Sequence, residues 1–266
     1  GGTISFPGTS TWTGGTNSNG TNLTLAGGSL TFLGSVSNSG GNISNSAGTL
    51  TLGDGGTATT VTGGFLNGGI GLNQATLSGA TTNGAVTALA GNNFWTGGTV
   101  STGGALQAST GNLTVQGSVS NNGTINVANT GGYGVTYRGD VNNLGAVNIT
   151  KTNFSLNGDL ATSGAVTLSG GSLNATRTNV NPGGSVNVHS GNASLGNLTI
   201  TNGGAVIASH GAGSILRTQQ LTVLGSGKID LADNKLIVSG SPIGSWNGNS
   251  YSGVTGLIRS GRNGGA

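Results

Sequence analysis

The sequence predicts an all-β, single-stranded parallel β-helix, a β-solenoid of about 20 residues per coil, on three observations. The first is a repeat. Between Val100 and Ile229 an aliphatic residue, three variable positions, a glycine, one variable residue and a second aliphatic recur seven times: Val100/Gly104/Leu106, Val119/Gly123/Ile125, Val141/Gly145/Val147, Leu160/Gly164/Val166, Val180/Gly184/Val186, Ile200/Gly204/Val206 and Val223/Gly227/Ile229. The copies step by 19 to 23 residues, a period of the kind that marks stacked repeats. The second is composition. Gly supplies 57 of 266 residues and charged residues only 5%, against about 25% in an ordinary globular domain. In a parallel stack each position lies about 4.8 Å from its equivalent in the next coil. A repeated charge would there face itself, whereas Asn, Thr and Ser share hydrogen bonds.

The third observation is alternation. The second anchor of each copy and the residue two further on read Leu30/Phe32, Leu50/Leu52, Ile70/Leu72, Val86/Ala88, Leu106/Ala108, Ile125/Val127, Val147/Ile149, Val166/Leu168, Val186/Val188, Val206/Ala208 and Ile229/Leu231. Period two turns both members of each pair inward. The residue between them (Thr31, Thr51, Thr87, Gln107, Asn126, Asn148, Thr167 or Asn187) then points out. The glycine two residues before each second anchor is expected in a left-handed turn that only glycine enters cheaply. At this period the chain makes roughly 13 coils and a rod of about 60 Å. The solenoid is expected over 1–238, with 239–266 an irregular cap or intersubunit segment, since the coil phase is lost after Val238.

Other classes lose ground on composition. There is no cysteine, so thiol and disulfide chemistry is absent, and apolar runs are too short for a membrane-spanning helix. The eight Lys and Arg are scattered, and the pI of 9.7 reflects scarce acids; nucleic acid is not an expected partner. A start at Gly1 without Met, and an end in Gly-Gly-Ala, fits a processed or excised part of a longer product.

Two stretches carry a family resemblance. Asn93 to Ala108, reading NFWTGGTVSTGGALQA, resembles the autotransporter-associated β-strand repeat of bacterial secreted passenger domains, and Trp12-Thr13-Gly14-Gly15-Thr16 repeats its core with Leu23 again eleven residues after the Trp. The end, with Asp233-Asn234-Lys235-Leu236-Ile237-Val238 and Leu257 to Ala266, resembles terminal segments of repetitive extracellular proteins from planctomycete-type bacteria. These likenesses imply a right-handed β-helix exported from the cell, and no catalytic residues.

Candidate sites are few. The chain has no Glu and only Asp54, Asp140, Asp159, Asp230 and Asp233. Asp140 and Asp159 each precede a first anchor, so they should stack as a carboxylate pair able to share a proton, bind calcium or act in glycoside hydrolysis. Arg138 and Arg177 fall three residues before their anchors, on a ladder with Asn157, close enough to neutralise the pair. Tyr133 and Tyr137 with Arg138 make a compact aromatic-basic surface that could grip a glycan, the contact that the adhesin alternative would use. His189 and His210 sit at different phases and form no ladder. Trp12 and Trp95 occupy equivalent places and should cover a turn or an end of the core. Ile4, Phe6 and Trp12 at one end and Trp246, Tyr251, Leu257 and Ile258 at the other are the expected assembly contacts.

The reading is therefore a non-enzymatic extracellular structural protein needing no cofactor or metal. It would stack head to tail with copies of itself into a surface fibre, sheath or adhesive stalk. A monomeric glycan-binding or cell-surface-binding adhesin passenger is the alternative, and a polysaccharide-degrading β-helix enzyme the third.

Overall fold

The computed structural model describes residues 3–6, 8–18, 20–128 and 135–261, with side chains from residue 6 onward. It is a parallel β-solenoid. Each coil presents three strand segments. In one coil these are Arg177–Val180 and the long strand Ser185–Ser194, which bends to serve two faces. They pair in parallel with Asn197–Ile200, Ala205–Ala208 and Ile215–Thr218 of the next coil. The last coil follows the same order with Gln220–Val223, Lys228–Asp230 and Lys235–Val238.

The second-anchor column stands as the alternation predicts. Leu30, Leu50, Ile70, Val86, Leu106, Ile125, Val147, Val166, Val186, Val206 and Ile229 are successive partners in register, and Ser10 adds a rung before them. Among the described residues there are twelve rungs, rather than the 13 coils expected, which give eleven steps and a stack of about 53 Å at 4.8 Å per step. The column is buried from Leu30 to Val206, with Phe32, Leu52, Leu72, Ile149 and Leu168 packed beside it. Burial thus comes from coil lying on coil. On the outside of the same strands the polar ladder forms cross-rung hydrogen bonds: Gln107 Nε2 donates to Thr87 Oγ1 (3.0 Å) and Asn148 Nδ2 to Asn126 Oδ1 (3.1 Å).

The first anchors form two columns, a departure from the expected register. Val100 pairs with Asn121, Asn143 and Thr162 lie next in line, and Val180, Ile200 and Val223 complete that column. Val119, Val141 and Leu160 occupy the other inward column, two residues earlier, and continue through Thr178 to Leu198. The reason is that a short strand offers two inward positions, and in the middle coils the second is held by a fully buried polar residue. Asn121 Nδ2 donates to Asn143 Oδ1 (2.7 Å) and to the Ala146 carbonyl (2.9 Å). Asn143 Nδ2 donates to Thr162 Oγ1 (3.0 Å) and to the Ala165 carbonyl (3.1 Å), and Thr162 Oγ1 to the Gly164 carbonyl (2.9 Å). These amides brace the corners that lead into the second face. Asn17 and Asn38 make a similar buried pair (2.7 Å) near the other end.

The glycine two residues before the second anchor is also explained differently. Gly28, Gly48 and Gly68 do have positive φ. Gly104, Gly123, Gly145, Gly164, Gly184, Gly204 and Gly227 do not; where the corner is long, the preceding Gly103, Gly183 and Gly203 take that role, with φ of 90°, 80° and 77°. A Cβ on Gly164 would instead sit 2.1 Å from the Gly145 carbonyl oxygen of the neighbouring coil. Close stacking of corners, not left-handed backbone, excludes side chains there.

Beyond Val238 the coil pattern ends. An antiparallel bridge joins Trp246 to Tyr251, and a helix spans Gly253–Gly261. The helix was not expected from the sequence. None of its residues is fully buried. Among the described residues no helix is long and apolar enough to cross a membrane.

Candidate functional site

The stacked carboxylates are brought together, but in a self-satisfied arrangement. Val141 pairs with Leu160, which places Asp140 one rung from Asp159. Asp140 Oδ1 accepts the backbone N–H of Asp159 (2.8 Å). Asp159 Oδ2 accepts from Arg177 Nη1 at 3.1 Å, both side chains being substantially exposed. Arg177 does not stack with Arg138 and Asn157, as the expected register had it. It is the direct rung partner of Asp159, because Thr178 rather than Val180 occupies the column of Leu160. One ladder therefore runs carboxylate, carboxylate, guanidinium, and each carboxylate already has a donor.

The remaining acids shape turns. Asp54 accepts the backbone N–H groups of Thr57 (2.7 Å) and Gly56 (2.9 Å), which hold its carboxyl below the usual carboxylate range. Asp233 accepts Gly211 N–H at 2.8 Å, which lowers its pKa, with His210 at 3.7 Å adding a smaller pull in the same direction. Asp230 Oδ1 accepts Ala232 N–H (3.0 Å). His189 Nδ1 lies 2.9 Å from Ser209 Oγ. Among the described residues no group of three or more His, Cys, Asp or Glu converges as a metal site.

The expected aromatic surface does not form as read. Tyr137 is turned inward, 1% exposed, with its ring edge-on to Phe154 at 4.9 Å. It follows Val115 in the inward column of the third face, and alternation there buries it while Arg138 points out. Burial pushes its hydroxyl pKa well above the usual phenol value. Tyr133 lies outside the described residues.

The two tryptophans are equivalent in geometry and unequal in setting. Each indole N–H donates to the carbonyl two residues ahead, Trp12 to Gly14 and Trp95 to Gly97. Trp95 is fully buried between Leu77 and Val115. Trp12, on the first rung, is half-buried between Phe6 (6.2 Å) and Phe32 (6.0 Å). Ile4 pairs its backbone with Leu23. At the other end Trp246 (50% exposed) stacks on Tyr251 at 5.0 Å, with the Arg259 guanidinium 5.4 Å and 5.8 Å from the two rings. Ile258 is exposed and Leu257 half-buried. Ser241 Oγ accepts the edge N–H of Leu221 (2.8 Å). Even so, Leu221, Val223, Ile229, Leu231 and Leu236 of the last coil stay only partly buried.

One prediction arises at the carboxylates. Changing Asp140 and Asp159 together to Asn should leave thermal stability nearly unchanged. An exposed ion pair contributes about 0–1 kcal/mol, and amides suit the ladder. Differential scanning calorimetry with and without calcium checks it. A calcium-dependent rise in melting temperature in the parent, lost in the variant, would establish a cation site instead.

No family model matches the chain, and no curated protein matches it. Among solved structures it is similar to the TibC-catalyzed hyper-glycosylated fragment of TibA, at 18% identity and a TM-score of 0.36, over 88% of this chain and 94% of that one.

Proposed function

We propose that the chain is an extracellular structural β-solenoid, a rigid rod that builds or extends a surface fibre, sheath or adhesive stalk by stacking end to end. The observation that carries this reading is the twelve-rung core, which runs without interruption into a last coil whose inward Leu221, Val223, Ile229 and Leu236 are only partly covered. Such an edge offers unpaired strand groups and apolar side chains in one plane. The first 53 residues contain no charged side chain. A Lys228 or Asp230 placed on that end therefore meets hydroxyls, not a like charge. A head-to-tail contact of this kind does not close on itself and propagates. Export to the cell surface is supported by the repeat resemblance at Trp12 and Trp95.

The exposed Trp246, Tyr251 and Ile258 belong to the same reading as the contact that receives the first coil of the next copy. Purified protein viewed by negative-stain electron microscopy should show filaments. A chain ending at Ser241, which keeps the hydroxyl that caps Leu221, should give short rods with unchanged β-rich circular dichroism. Filaments from the truncated chain, or a strictly monomeric parent at high concentration, would defeat this form of the proposal.

A further inference from the structure

We propose that the second face carries a binding site for a neutral sugar residue, in a notch where Gly69 and Gly71 interrupt the outward side-chain ladder and Leu89 forms one wall. On this face each rung presents two outward positions, one on either side of the inward anchor. They hold Thr49 and Thr51 in one coil, and Ala85 and Thr87 two coils on. The rung between them, centred on Ile70, alone among the twelve has no side chain at either position. The result is a shallow open notch of about 460 Å³, within the general range of small-molecule sites, about 300–1,000 Å³.

The fold does not require these two glycines. Neither has a positive φ. A Cβ on Gly69 would meet nothing within 4 Å, while one on Gly71 would meet the Leu89 side chain, its Cδ1 at 2.3 Å and its Cγ at 3.1 Å, which must swing aside to admit it, with the Leu50 carbonyl oxygen at 3.7 Å. By contrast, a Cβ on neighbouring Gly68 would lie 2.0 Å from the Asn45 carbonyl oxygen. The gap is thus a break in the ladder that packing would let a Thr fill.

Its walls are suited to an uncharged, hydroxyl-rich ring. No lining residue is ionisable. Leu89, 37% exposed, supplies an apolar plate for the C–H face of a sugar. The Thr87 hydroxyl accepts from Gln107 Nε2, so its own proton is left to donate. Thr49 adds a second hydroxyl at the rim. Asn45 fixes the wall, since its Nδ2 donates across the rung gap to the Gly69 carbonyl (2.7 Å) and to Gly48 of its own turn (3.3 Å). A site held this way loses little freedom on binding.

The test is independent of filament formation. The intact chain is titrated with maltotetraose, cellotetraose, mannotetraose and chitotetraose, with sialyllactose as the charged comparison, by isothermal calorimetry and amide chemical shifts. The expected result is saturable binding of at least one neutral probe, tighter than about 1 mM, with shifts centred on Thr49, Gly69, Gly71 and Thr87. The double variant Gly69→Thr, Gly71→Thr rebuilds the ladder. It should keep its melting temperature and weaken that binding at least about tenfold. No binding by any neutral probe, equal binding by the folded double variant, or a preference for sialyllactose would overturn the proposal.

Discussion

Replacing Gly164 by Val should destabilise the protein by about 3 kcal/mol or more, whereas Thr167→Val, three residues away, should stay within about 0.5 kcal/mol. At Gly164 the nearest obstacles to a Cβ are backbone atoms: the Gly145 carbonyl oxygen at 2.1 Å, the Leu144 carbonyl carbon at 2.6 Å and its oxygen at 2.7 Å. Backbone in a stacked corner cannot swing aside as a side-chain tip can, so two coils must part. Thr167 points outward on a ladder between Asn148 and Asn187, where a β-branched side chain suits the strand. A further pair separates close approach from backbone conformation. Gly164→Asn should be as damaging as Gly164→Ala, since either adds a Cβ. Gly203→Asn should be tolerated, because φ is +77° there and the nearest atom to a Cβ is 4.0 Å away, and Asn enters that region more readily than most residues. Thermal melts of the variants check the set. Equal melting temperatures for Gly164→Val and Thr167→Val would refute the stacking account.

The second large effect is expected inside the core. Asn143→Ala should cost about 3 kcal/mol, because it removes the acceptor of Asn121 and a donor to Thr162 and Ala165, and opens a void. Replacing Asn121, Asn143 and Thr162 together by Val should cost less than the single change. The triple change removes the three polar side chains together, so that only the carbonyls of Ala146, Gly164 and Ala165 lose a donor and no buried amide or hydroxyl is left unpaired, and Val100 and Val180 already flank the column. Denaturant midpoints measure both. A triple variant less stable than Asn143→Ala would mean that the carbonyls of Ala146 and Ala165 depend on the amides.

How far each feature could be read follows from the physics of stacking. The second-anchor column was legible because a single hydrophobic position, repeated at coil spacing beside a glycine, has one consistent register. The first-anchor column was not, since hydrophobicity cannot distinguish two inward positions when one of them holds Asn143 or Thr162. The same ambiguity governs Arg177, which pairs with Asp159 only because Thr178 occupies the column of Leu160. Tyr137 misled for a related reason: an aromatic beside an arginine looks like a surface, and only the third face, in line with Val115, turns it inward. The terminal helix gave little signal in Gly253–Gly261, with its three glycines and no charge in its first turn.

Sequence alone therefore determined the solenoid, its period, the inward and outward alternation and the shortage of chemistry-bearing side chains, because these depend on residue type repeated at a fixed step. Tertiary structure alone decided which polar residues are buried, why Gly164 must be glycine and where the ladder opens at Gly69 and Gly71. Those outcomes depend on distances between coils about 20 residues apart, and a contact across that separation has no trace in the local pattern of either strand.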